Sequence, residues 1–315
     1  MSAPIGGQAV LEGVMMRGPR NWAVAVRTPW GTIERVAAPV TSAMARHRWL
    51  RLPVVRGVVA LGESLSIGFR ALAVSANYAA QEEQVAAGAA DAATVEAQGA
   101  GEIPKSVIIG SFVVAIGFAI ALFKVTPALL TDLLPVKSGA WFVLTEGAIR
   151  VSILIAYLAV ISLMPSLKRV FQYHAAEHKA INAYEDGCPL EPERVQRYSL
   201  IHPRCGTAFL LWVMVIAIFV YAGFGKQPIV WQVVTRIGML PVIAGLAYEL
   251  IRFAGKHAGS RVLMTLLAPG LWLQRLTTRQ PTLDQIEVSI RALQEVLELE
   301  GTASSAEARQ VEIMA

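Results

Sequence analysis

The chain has 315 residues, 55% of them hydrophobic and only 16% charged, with a mean hydropathy of +0.50. An average soluble domain carries about a quarter charged residues, so this composition excludes an ordinary soluble enzyme, a disordered chain and a nucleic-acid module, and it points to the integral membrane class. The net charge of +5 comes from 28 Lys and Arg against 23 Asp and Glu; it is read as a reporter of topology and not as direct sequence-specific nucleic-acid binding. Cys188 and Cys205 form no CxxC pair and no disulfide framework, which fits a reducing compartment. The first twenty residues lack the basic start and unbroken apolar run of a cleaved secretory signal.

Residues 1–53 read as an N-terminal cytoplasmic β element. Residues 22–28 alternate, Pro29-Trp30-Gly31 gives a turn, and 32–36 is rich in β-branched residues, so a hairpin is expected, with Gln8 to Met16 as one further strand. Residues 54–80 follow as a helix carrying Arg56, Glu63 and Arg70 at seven-residue intervals, a pattern expected to lie at the membrane interface. Residues 81–104, rich in Ala, Gly and acidic side chains, read as a flexible linker.

A four-span membrane domain is expected over 105–252. The spans are Ser106 to Phe123, which has no charge and is bracketed by Lys105 and Lys124; Trp141 to Met164, with Glu146 and Arg150 four apart; Cys205 to Phe224; and Ile229 to Ile251, with Arg236 inside. Charges inside a bilayer are costly unless paired, so Glu146 is expected to pair with Arg150 or Arg236. The loop 165–204 holds Lys168, Arg169, Lys179, Arg194, Arg197 and Arg204, and Arg252, Lys256 and Arg261 follow the last span. Retention of Lys and Arg in cytoplasmic loops then predicts a multi-pass inner-membrane protein with both termini cytoplasmic. In the C-terminal cytoplasmic part, 253–315, Val262 to Gln274 is expected along the membrane, broken at Pro269-Gly270, and an amphipathic helix is expected over 283–299 behind a Thr282/Gln285 capping box.

The densest polar cluster is His174-Ala-Ala-Glu177-His178, an HxxEH pattern. On a helix all three polar side chains share a face. Two imidazoles at that spacing can hold one divalent metal ion, zinc being the natural candidate, with the carboxylate of Glu177 as general base. His202 and Cys205, in HPRC at the start of the third span, and Glu249, at the end of the fourth, fall on the same predicted face and complete the candidate ligand set. The other reading, a polar juxtamembrane collar facing water, stays open beside it.

Four motifs, GGQAVLEGVMMRGP at 6–19, YHAAEHKAINAYE at 173–185, HPRCGTAFLL at 202–211 and LTTRQPTLDQIEVSI at 276–290, together resemble the YqhQ-like bacterial membrane proteins. That is a domain-of-unknown-function family labelled predicted metal-dependent enzyme. The resemblance implies a bacterial inner-membrane protein, and its functional label rests on the same HxxEH and HPRC residues. Two functions follow as alternatives: a metal-dependent hydrolase at the cytoplasmic membrane face, or a non-catalytic scaffold or assembly factor that offers its basic surface to a membrane-protein, ribosome or translocon partner.

Overall fold

A computed structural model describes residues 4–86, 105–136, 139–224, 228–257 and 260–301. The chain is mainly helical, with a four-stranded antiparallel sheet at its N-terminal end in the order β1 (Gly6–Val10), β2 (Gly13–Arg17), β3 (Asn21–Arg27), β4 (Ile33–Pro39). Then come α1 (Ala43–Arg46), a 3-10 turn (Arg48–Arg51) and α2 (Val55–Ala86). The helix α3 (Lys105–Ile120) passes through a π turn (Ala121–Val125) into α4 (Thr126–Asp132), and α5 (Gly139–Ser162), α6 (Pro165–Glu185) and α7 (Pro192–Val195) follow. The last helices are α8 (Gly206–Ala222), α9 (Ile229–Lys256), α10 (Arg261–Thr277) and α11 (Leu283–Gly301).

The expected hairpin at 22–36 is β3–β4, but the single strand expected over Gln8 to Met16 is itself a hairpin, β1–β2, turning at Leu11 and Glu12. No Gly or Asn marks that turn. Glu12 is held at φ +52 because its carboxylate pairs with Arg169 and accepts from the Tyr173 hydroxyl, both on α6. The central strands β2 and β3 are buried on both faces, their side chains alternating between two cores. Val14, Met16, Ala23 and Ala25 pack with Tyr173, Ala176 and Ala180 of α6 and Ile286 and Leu293 of α11, while Met15, Trp22, Val24 and Val26 pack with Ile67 and Ala71 of α2. The predicted capping box starts α11: Thr282 N–H donates to Gln285 Oε1 at 3.0 Å and Gln285 N–H to Thr282 Oγ1 at 3.4 Å.

Among the described residues, four helices are long and apolar enough to cross a bilayer, in segments Val55–Gln81, Val113–Asp132, Gly139–Ser162 and Val234–Lys256; Gly206–Ala222 is a shorter apolar helix. The number agrees with expectation and the membership does not. The helix α2 qualifies by length and composition, yet its side chains Ile67, Ala71, Val74 and Tyr78 are spent on the sheet. At 17 residues, α8 sits at the lower limit of a span. Nor does the first span end at Lys124: the helix runs on to Asp132, and the π turn lets Lys124 fold inward over the Tyr221 ring, 5.8 Å from its centroid. The helix α10 passes unbroken through Pro269, with Gly270 packed against Ala208 and Trp212. Of the expected linker, residues 81–86 are helical and 87–104 lie outside the described residues, as does the tail after 301.

Inside the bundle one carboxylate holds two helices. Glu146 Oε1 accepts from Arg150 at 2.5 Å and Oε2 from Arg236 of α9 at 2.6 Å, while Arg150 Nε donates to the Phe123 carbonyl at 2.9 Å. Both expected pairings form at once. Removing one member of such a buried group costs about 3–5 kcal/mol, because the remaining charges lose their partner. Glu146→Gln is therefore expected to lower the thermal unfolding midpoint of the detergent-solubilised protein sharply, and an unchanged midpoint would contradict this packing.

Candidate metal site

The helix α6 supplies the site from the face opposite its core contacts. Tyr173, Ala176, Ala180 and Ala183 bury against the sheet and α11, and the small alanines let the helix approach closely. His174 and His178, one turn apart, look instead toward the start of α8 and the end of α10. His174 Nδ1 lies 2.8 Å from the Thr277 carbonyl and His178 Nδ1 2.6 Å from the Leu200 carbonyl. A carbonyl can only accept, so each Nδ1 carries a proton, and it is the Nε2 of the neutral ring that offers a lone pair. The Nε2 of His174 is 3.2 Å from Cys205 Sγ, and one donor atom from each of His174, His178 and Cys205 lies within 4.8 Å of the others. Tetrahedral zinc with bonds of about 2.0–2.3 Å separates its ligands by roughly 3.5 Å, so these three donors fit a metal with small adjustments. Main-chain carbonyls bonded to the far ring nitrogens are the usual outer support of such ligands.

Cys205 reaches the cluster because the segment before α8 is pinned to α6 and α10. Lys179 Nζ donates to the carbonyls of Gln196 and Tyr198 at 2.6 and 2.7 Å, and Asn182 Nδ2 donates to those of Ser199 and Ile201 at 3.1 and 3.2 Å. Burial pulls the Lys179 ammonium below its ordinary pKa. The buried amide of Gln274 clamps His202 reciprocally: its Oε1 accepts from the His202 N–H and its Nε2 donates to the His202 carbonyl, each at 2.9 Å. The sequence marks Lys179 only as a basic loop residue and does not single out Asn182 or Gln274 as parts of the site. All three lie inside or beside the quoted motifs, which was the available signal.

Two predicted ligands stand apart from the three donors. His202 is buried, and its Nε2 faces Glu185 Oε2 at 3.5 Å, an electrostatic contact longer than a well-formed hydrogen bond. Burial lowers the His202 pKa, with Glu185 opposing. Glu249 is committed elsewhere: its carboxylate pairs with Arg56 and accepts from the Val54 N–H at 3.3 Å. Val54, at φ +70, is a β-branched residue in the left-handed region, and Glu249 helps to hold it there at the start of α2. Position on the predicted face did not reveal that partner.

Glu177 packs against β1 at Gly7, where an added Cβ would come within 2.7 Å of Glu177 Cγ. Burial pushes its carboxyl up from the ordinary 4.5 to about 7, with His174 opposing the rise.

The chain is thus a protein of apolar long helices and a small buried-face sheet, with a His/His/Cys cluster where the two meet. It belongs to the family described as "Protein of unknown function (DUF1385)", whose profile matches residues 52–299. It is similar to the uncharacterized protein YqhQ of Bacillus subtilis (strain 168), at 32% identity over 300 residues covering 94% of this chain and 92% of the relative. No solved structure matches the chain significantly.

A carboxyl with a raised folded-state pKa leaves stability intact at low pH and removes it as the pH rises, because the unfolded chain ionises first. For Glu177 the loss accumulates from about 4.5 to about 7 and reaches roughly 3 kcal/mol. Metal-free Glu177→Gln is accordingly expected to be more stable than the parent at pH 8 and equal to it at pH 4; melting curves at the two pH values check this.

Proposed function

We propose that the chain is a multi-pass inner-membrane, metal-dependent hydrolase whose site lies at the cytoplasmic ends of the spans. The observation that carries it is the convergence of one donor atom from each of His174, His178 and Cys205 within 4.8 Å of one another, with both Nδ1 protons donated to main-chain carbonyls. Three protein donors are what catalytic zinc sites use, the remaining position being left to water or substrate. When bound, the ion supplies Lewis acidity and brings the pKa of water near 7. His174, His178 and Cys205 would hold it. Glu177, on the same helix between the two imidazoles, takes the proton of the attacking water on a carboxylate oxygen and returns it to the leaving group.

The membrane assignment is supported by the four long apolar helices. The shared core of the N-terminal sheet and the C-terminal α11 supports both termini on one side. The basic residues of the 165–204 loop support the cytoplasmic assignment of that side.

Metal analysis of detergent-purified protein is expected to give one zinc per chain, none in the double His174→Ala, His178→Ala variant, and one in Glu249→Ala, whose carboxylate serves Arg56. Glu177→Gln is expected to keep the metal and to lose hydrolytic turnover by about 10²–10⁴-fold. Intact protein without stoichiometric metal after metal-replete purification would overturn the reading.

A further inference from the structure

The strand β1 is an edge of the sheet: it pairs with β2 on one side and, among the described residues, with no strand on the other. The register shows which of its amides are free. Glu12 O accepts from Arg27 N at 2.9 Å and Gly18 N donates to Asn21 O at 2.8 Å. Even-numbered residues along β2 therefore bond β3, and odd-numbered Gly13, Met15 and Arg17 bond their β1 partners Val10, Gln8 and Gly6. Gly7 and Ala9 turn their N–H and C=O groups outward.

Open edges are normally shortened, charged or covered. This one carries neither Lys nor Pro, and Gly6, Gly7 and Gln8 are exposed. A Cβ at Gly6 would meet nothing within 4 Å, whereas at Gly7 it would strike Glu177. The edge also leads to the metal donors: the Ile5 carbonyl, one residue before β1, accepts from Arg204 at 3.3 Å, next to Cys205. Alternating donors and acceptors repeated every second residue, about 6.8 Å apart, match another extended backbone. A lipid headgroup or a sugar offers no such repeat.

We propose that the outer edge of β1 is a substrate-binding strand: an extended polypeptide segment pairs with Gly7 and Ala9, about 4.8 Å away, and lays a main-chain amide beside Glu177 and the His174, His178 and Cys205 donors. Cleavage of that amide rests on the hydrolase reading, while docking needs only the edge. In the hydrolysis, the water oxygen bonds to the carbonyl carbon, the C–N bond breaks, and Glu177 passes the water proton to the departing nitrogen.

The test is residue-resolved amide exchange on the zinc-loaded full chain in detergent micelles, alone and with unfolded β-casein. Gly7 and Ala9 are expected to exchange fast alone and at least tenfold slower with casein, and Gln8 to be slow in both. Ala9→Pro removes an outward N–H and leaves the ladder intact; it is expected to weaken casein binding at least tenfold, with zinc content and Gln8 protection unchanged. Gly7 and Ala9 already protected without casein would mean that the edge has another occupant, such as a segment of this chain or a second copy, and would overturn the proposal. So would amides that stay unprotected at the highest casein concentration, even if casein is cut, in which case the hydrolase reading survives alone. Protection without cleavage supports docking and counts against the hydrolase.

Discussion

The arrangement of the metal donors depends on two main-chain carbonyls, Thr277 O and Leu200 O, which take the Nδ1 protons of His174 and His178. Without them each imidazole would choose its tautomer and rotamer freely, and nothing would aim either Nε2 at Cys205. The carbonyls come from segments far from α6 in sequence, the end of α10 and the stretch before α8. Whatever fixes those segments therefore fixes the site. Lys179 and Asn182 do so from α6 itself, and Gln274 does so from α10 through the backbone of His202.

This makes α6 a hub with two duties on opposite faces. One face is small and apolar, so the sheet and α11 pack against Ala176 and Ala180. The other carries the imidazoles. Glu177 lies between these duties, packed against a strand position with no side chain. The sheet thus supports α6 from the side away from the imidazoles.

Much of this was legible from short-range pattern. The HxxEH spacing puts its residues on one helical face, the capping box marks the start of α11, and the alternation at 22–36 marks a hairpin, because each signal lies within a turn or two of its effect. What escaped depends on distant partners. Glu249 looked like a ligand by position along α9, but its charge is matched by Arg56, on a helix of the N-terminal third. The β1–β2 turn has no turn residues because α6 supplies the energy that holds Glu12 in place. Lys124 read as a helix end because a lysine normally marks the membrane boundary, whereas an aromatic ring and a π turn accommodate it within the bundle.

The doubly engaged Glu146 has a consequence for how the protein is made. On the membrane reading proposed above, α9 taken alone would carry an arginine into the bilayer with no counter-charge, at a cost of several kcal/mol. Its counter-charge was synthesised 90 residues earlier, on a helix that already carries an arginine of its own. Insertion is thereby tied to order of synthesis: α5 arrives as a self-neutralised Glu146–Arg150 pair with one carboxylate oxygen to spare, and the later helix is admitted by docking onto it.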